Sequence, residues 1–328
     1  MPAVHMPASA PGGGAAAACL PLGRGPALLL ALVLASILAP GCAATAGGGG
    51  PGSVAAPAVD GAALRIITFN IRYGTAPDGA DAWPRRRELA LRVLRDFDGA
   101  VVGLQEALRF QLDEITRALP HYGEVGVGRD DGARGGEYAA ILHDRRRLGV
   151  LDHGWFWLSD TPEVPGSMTW GNRFPRIVTW VRLADRVTGA TFYVYNTHWD
   201  HESAPARMRS ASLLRERIAT RAARADPVLV IGDFNAGDDD PAVKGLIAPP
   251  DDGAGAPGLA DTFRAVHPAA QGVGTYHAFR GDRGGAKIDA VFASPEWRVL
   301  DAGIVHLADG GRYPSDHFPV TATLELRR

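Results

Sequence analysis

FYVYNTHWDH (residues 192–201) and VLVIGDFN (residues 228–235) decide the fold. Each is a run of β-branched and aromatic residues that closes on an amide, an imidazole or a carboxylate. A run apolar on both faces belongs to a strand buried inside a layered α/β structure. IITFN (66–70), AVVGLQE (100–106) and KIDAVF (287–292) follow the same grammar, and Ser315-Asp316-His317 stands directly before Phe318-Pro319-Val320. An unpaired carboxylate in the middle of such a strand costs on the order of several kcal/mol. At strand ends a rigid sheet can instead hold several acids around one cation. The polar clusters are therefore expected to converge on a single metal site.

Outward from these motifs, the spacing predicts strands at 64–69, 100–104, 138–142, 148–158, 177–183, 191–195, 227–231, 286–293, 297–307 and 318–324. Helices are expected from Trp83-Pro84 to Phe97, over 107–119 with Pro120 as terminator, and over 203–224. The fold class is α/β. Two similar α/β halves would bury each other's sheets, with no linker between them and no internal repeat of 20 to 50 residues. Loops 128–137, 159–175 and 248–285 are the expected carriers of specificity.

Of the 328 residues, 46% are hydrophobic, enough for a substantial core, and the formal net charge of −2 carries no footprint of a general nucleic-acid binder. Between Met1 and Val59 the only formally charged side chain is Arg24. Residues 1–42 read as an export signal, with the apolar run Ala27–Leu38 too short to span a bilayer by the criterion of about 20 residues. Leu38-Ala39-Pro40-Gly41-Cys42 resembles a lipobox at its Gly-Cys junction and departs from it at Ala39 and Pro40, so Cys42 is a candidate for lipidation against simple cleavage nearby. Residues 43–61 read as an Ala/Gly/Pro tether, and 62–328 as the folded domain. Export to the periplasm, cell surface or medium is expected. Cys19 and Cys42 are the only cysteines, so 62–328 has neither disulfide nor thiolate chemistry.

Glu106 at a strand end suits a hard divalent cation, and Asn70 stands in an equivalent place. His198 and Asp200, two residues apart, would share a face, with His198 an acid or phosphate donor and His201 either a loop residue or part of the site. Asp233 and Asn235 repeat that spacing, the amide orienting a nucleophile that the carboxylate activates. Asp238 to Asp240 read as a solvated helix start. His317 needs a carboxylate partner, Asp289 or Asp316, to act as a base that activates water. Arg176 stands open between a phosphate contact and a surface salt bridge.

TFN, QE, NTHWD, GDFN, KID and SDHFPV occur in the order and approximate spacing of the endonuclease/exonuclease/phosphatase superfamily, and the chain resembles its bacterial exported metal-dependent hydrolase branch over residues 64–326. FWLS (156–159), TPE (161–163) and PRIVTW (175–180) add to the likeness. The resemblance implies a four-layer αββα sandwich, two packed mixed sheets flanked by helices, with the site at one edge of the sheets. It implies Mg²⁺ or Mn²⁺ held chiefly by Glu106, with Asn70 in its shell and Asp316 touching the metal. Asp233 and Asn235 would handle the nucleophilic water, His198 the phosphate or leaving group, and Asp289 with His317 would form the orienting pair and base. Arg176 and Asp200 are taken as the groups on the substrate phosphate. The expected activity is hydrolysis of a phosphate ester, whether nucleic acid, phospholipid or small phosphate ester, by a monomer that a lipid anchor can attach to the membrane. Two other readings stand beside it: a dinuclear metallohydrolase of another class, or a non-catalytic exported binding module on the same scaffold. Asn196, where a metallo-β-lactamase motif has His, argues against the first.

Overall fold

The computed structural model describes residues 61–249 and 255–327. The expected leader, residues 1–42 with Cys42, and the tether up to residue 60 lie outside the described residues. No helix among the described residues is long and apolar enough to cross a membrane.

In chain order the elements are β1 (Leu64–Asn70), α1 (Trp83–Phe97), β2 (Val101–Ala107), α2 (Arg109–Ala118), β3 (Tyr122–Val125), β4 (Tyr138–Asp144), β5 (Leu148–Trp157), β6 (Ile177–Asp185), β7 (Thr191–His198), α3 (Ala204–Ala219), β8 (Val228–Asp233), α4 (Pro241–Ile247), β9 (Ala260–Asp261), α5 (Thr262–Val266), β10 (Asp289–Ala293), β11 (Trp297–Ile304) and β12 (Val320–Leu326). They build two six-stranded mixed sheets, ordered β11-β12-β1-β2-β4-β3 and β5-β6-β7-β8-β10-β9. Each sheet has one central parallel pair, β1 with β2 and β7 with β8, and antiparallel neighbours elsewhere.

Strand alternation sorts the side chains into layers. Leu64 and Ile66 of β1, Phe192 and Val194 of β7, and Leu229 and Ile231 of β8 meet between the sheets. Ile67 and Phe69 point the other way, onto Leu91, Leu94, Leu112 and Ile115 of α1 and α2. Tyr193, Tyr195, Val228 and Val230 do the same on the far side, against Leu214 and Ile218 of α3 and Leu246 of α4. The expected four layers, helix, sheet, sheet, helix, are all present.

Continuing the inner-face alternation brings Asn70, Gln105, Asn196, His198 and Asp233 to the inner side, at the C-terminal ends of the two parallel pairs. There the contact between sheets turns from apolar to polar. Asn196 of β7, fully buried, donates to Leu104 O at 3.0 Å and Ala140 O at 2.7 Å in the opposite sheet, and accepts from Gln105 Nε2 at 2.6 Å.

Several boundaries differ from the sequence expectation. The helix expected over 203–224 stops at Ala219 with Thr220 as its cap. The last strand starts at Val320, so His317 lies before it, in an isolated bridge with Tyr276. Alternation does not carry past His198: the chain turns at Asp200, whose Oδ1 accepts the Glu202 and Ser203 N–H groups before α3. Asp238–Asp240 is only partly a solvated helix start. Asp240 caps α4, while Asp238 pairs with the buried Lys287 at 3.0 Å and with Arg264 at 2.6 Å. β3, β9 and α5 have no counterpart in the expected elements, whereas α4 is the short helix whose start was expected at Asp238–Asp240.

Replacing Asn196 by Ala would strand two backbone carbonyls and the Gln105 amide. Three lost hydrogen bonds at that depth are expected to cost about 2–4 kcal/mol of unfolding free energy. A urea titration showing a loss below about 1 kcal/mol would mean that the tie between the sheets is dispensable.

Candidate active site

The first half of the site is organised by one amide. Asn70, the last residue of β1, donates through Nδ2 to Glu106 Oε1 at 3.0 Å and to Asp233 Oδ2 at 2.9 Å, so it joins the carboxylates of the two sheets. Its Oδ1 accepts the Arg72 N–H. The ladder between β2 and β4 shifts register between Leu104 and Ala107, and Glu106 sits in that irregularity with φ of 58°. Such a bulge re-aims a side chain at a strand end, here from the sheet into a pocket. Arg72 (φ 56°) and Asn235 (φ 47°) are also left-handed, so three of the non-glycine residues in this strained region cluster here. Asn235 is held by its N–H to Asp233 Oδ1 and by its Nδ2 to Trp199 O.

The second half comes from β10 and the segment before β12. β10 pairs with β8 so that Asp289 stands opposite Asp233. Asp289 Oδ2 lies 2.9 Å from His317 Nδ1, and His317 Nε2 lies 3.8 Å from Asp233 Oδ2. Of the two carboxylates open to His317, Asp289 makes the bond. Asp316 turns aside, accepting the Ser315 hydroxyl at 3.1 Å and lying 3.7 Å from Arg72 Nε.

Burial and charge divide the titratable groups. Burial works against a charged His317, but Asp289 and Asp233 outweigh it and hold the imidazole well above its ordinary value. Burial, with Arg176 and Arg129 nearby, pushes His198 well below its own, so it is neutral. Burial and the neighbouring Asp289 raise Asp233 to about 7. Asp316 is raised mainly by burial.

These groups open onto a cavity of about 610 Å³, also lined by Arg72, Tyr73, Arg129, Glu137, Phe174 and Tyr276. Arg129 and Glu137 come from loop 128–137, Phe174 from 159–175 and Tyr276 from 248–285. All three expected specificity loops thus reach the pocket. Arg176 is buried and faces the same cavity, with Asp200 Oδ2 3.5 Å from its Nε and His201 Nδ1 2.8 Å from its Nη2. Asp200 lies behind Arg176 and does not line the cavity, so the structure does not bring it to a phosphate position.

The sequence reading missed Glu137 and Arg129. They form an ion pair of 2.7 Å, and Glu137 Oε2 stands 3.9 Å from His198 Nδ1. Burial lifts Glu137 to about 7 against the pull of Arg129. The signal was present as Gly135-Gly136-Glu137, an acid entering a buried strand rather than leaving one.

The donors suit a hard divalent ion. The Glu106, Asp233 and Asp316 carboxylates supply oxygen, the Asn70 Nδ2 holds the first two together, and residues 62–328 contain no cysteine. Asp233 and Asp316 carry raised proton affinity from burial, which a cation would relieve. Asp233, Asp289 and His317 also offer ligand atoms within 4.8 Å of one another. In that trio Asp289 and His317 are hydrogen-bonded to each other, while the Glu106 oxygens accept from the Asn70 amide and the Tyr73 N–H and face the cavity.

The sequence profile described as the Endonuclease/Exonuclease/phosphatase family matches residues 67–317, from within β1 to the site histidine. The chain belongs to the endonuclease/exonuclease/phosphatase family. That membership sets aside the dinuclear metallohydrolase of another class. Among solved structures of the family, an endonuclease/exonuclease/phosphatase from Bacteroides vulgatus is 34% identical with a TM-score of 0.73, covering 81% of this chain and 99% of that one. The mannosyl-6-phosphatase of Bacteroides thetaiotaomicron is 31% identical with a TM-score of 0.70, covering 80% and 99%. The 3′-5′-exoribonuclease subunit of the CCR4-Not complex of Phaeosphaeria nodorum is 30% identical over 193 residues, 52% of this chain and 32% of that protein. The chain therefore spans about a third or less of the curated relatives it matches.

If Asn70 positions Glu106 for a cation, Asn70→Ala is expected to weaken Mn²⁺ binding by about 10- to 100-fold. Calorimetric titration reads this directly, and an unchanged affinity would separate Asn70 from the metal.

Proposed function

We propose that the protein is a divalent-metal-dependent phosphoesterase, hydrolysing a phosphate ester by in-line attack of water. The supporting observation is the unbroken chain of contacts Glu106, Asn70, Asp233, His317, Asp289, which crosses both sheets and opens on one cavity. Glu106 and Asp316 would hold a Mg²⁺ or Mn²⁺, which would supply Lewis-acid stabilisation of charge on the phosphoryl oxygens. Asp233, with proton affinity near neutrality, takes the proton of the attacking water while Asn235 orients it. His317 acts as a cationic donor to a phosphoryl oxygen rather than as the base its sequence context suggested, because Asp289 and Asp233 keep it protonated. Neutral His198 donates a hydrogen bond toward the leaving side, oriented by Glu137. Arg176 binds phosphate, and Asp200 acts only through it.

Among phosphate esters, a small sugar phosphate is favoured over a polynucleotide. One neighbour matched over 99% of its length at 31% identity is a mannosyl-6-phosphatase. A TDP2 complexed with single strand DNA product is matched as fully but at 18% identity, a likeness of fold alone, and the exoribonuclease relatives align over about half of this chain. Export through residues 1–42, with Cys42 as the lipid-bearing residue, belongs to the same proposal.

Hydrolysis is expected with Mg²⁺ or Mn²⁺, abolished by EDTA and highest on hexose 6-phosphates in a panel that includes DNA, RNA, sphingomyelin and phosphoinositides. His317→Ala should lower kcat by about 10²–10³-fold. Turnover that survives EDTA would sink the metal-dependent reading, and faster cleavage of RNA than of any monoester would sink the sugar-phosphate assignment.

A further inference from the structure

A second cavity, of about 340 Å³, lies on the helix-facing side of the second sheet and shares no lining residue with the first. Its floor is set by strand register. Gly154, Trp180 and Tyr195 stand side by side across β5, β6 and β7. A Cβ at Gly154 would lie 2.9 Å from the Trp180 indole, so the glycine lets the ring lie flat against the strand. Trp180 is half-buried, and its indole N–H makes no hydrogen bond among the described residues. Tyr195 is 2% exposed and lines the cavity, yet its hydroxyl also has no partner among the described residues. The adjacent Tyr193 hydroxyl, by contrast, accepts the Ala223 N–H at 3.3 Å.

The rim comes from β5, the loop after it and the end of α3. It carries Asp152 and Glu163 against Arg217 and Arg221, two acids and two bases. Glu163 and Arg217 pair at 2.6 Å, and the Arg217 guanidinium lies 5.2 Å from the Phe156 ring centre. A charged ligand finds no net complement here. A purely apolar one would cover the Tyr195 hydroxyl without satisfying it, at a cost of about 1–3 kcal/mol. The fitting ligand has a flat C–H face for the indole and hydroxyls around its edge, since a hydroxyl both donates and accepts and so meets carboxylate, guanidinium and phenol alike.

We propose that this cavity binds a neutral sugar, one or two pyranose rings of a glycan. The proposal is independent of the hydrolysis reading, because the two sites share no residue.

The test is saturation-transfer NMR on the full chain, with methyl α-mannopyranoside, maltose, cellobiose and chitobiose as probes. At least one should receive saturation from the wild type and equally from His317→Ala. Trp180→Ala should weaken binding about tenfold, and Tyr195→Phe, which keeps the ring and loses only the hydroxyl, about fivefold. Should Trp180→Ala fail to fold, Tyr195→Phe and the exposed rim variant Arg217→Ala decide the question. No transfer to any probe overturns the proposal. So does binding unaffected by these variants, or binding that inorganic phosphate or His317→Ala removes, since the sugar would then occupy the first cavity.

Discussion

The two hydrogen bonds that the Asn70 amide donates, to Glu106 in its own sheet and to Asp233 in the facing one, set how the sheets meet where the chemistry takes place. Most of the contact between the sheets is apolar, and hydrophobic packing has no direction with which to choose one alignment over another within an ångström. Amides do. Asn196 ties the sheets in the same way a layer deeper, and the two together pin the alignment at the polar end. An amide is suited to this position because it offers two donors without a charge. A carboxylate at Asn70 would add repulsion to a group of acids already crowded, and a cation there would neutralise the charge that the proposed metal would balance.

That crowding explains the unusual proton affinities. Burial alone lifts carboxylates and depresses imidazoles, and His198 follows the rule. His317 departs from it because Asp289 bonds it at 2.9 Å with Asp233 close by, whereas His198, with Asp233 3.7 Å and Glu137 3.9 Å away, has Arg176 and Arg129 beside it. Equal burial therefore yields one neutral and one cationic histidine, their Nε2 atoms 3.7 and 3.8 Å from the same Asp233 oxygen. The site divides between an acidic floor, Glu106, Asp233 and Asp316, and a basic wall, Arg129 and Arg176. A phosphoryl group, anionic itself and drawn to cations on either side, fits between the two.

The sheets and their layering were legible because the apolar runs are long and their period is plain. β3, β9 and α5 were not: four, two and five residues are too few for a period to show, and tertiary packing decides such elements. Residues at the C-terminal ends of strands could be read one by one, because each motif carries its own polar closure. The pairing of His317 could not, since Asp289 and Asp316 are equal in sequence terms and only the register of β10 on β8 chooses between them. Arg129 and Glu137 escaped for a related cause. Their loop is glycine-rich, and the partner that gives them meaning, His198, is supplied by another strand of the facing sheet. Asp200 misled because alternation was extended beyond the last residue of its strand.

The first strand, β1, lies in the middle of its sheet, with the last strand, β12, along one side, Leu64 opposite Leu324. A ribosome must therefore finish almost the whole chain before β1 acquires its second neighbour. Until then the edge that will hold Asn70 is open to any other strand in reach. Contacts of such long sequence separation fold slowly, because the loop between them must close before they reward it. The catalytic end of the molecule is thus among the last regions to assemble, and a nascent or truncated chain has its sheets without its chemistry.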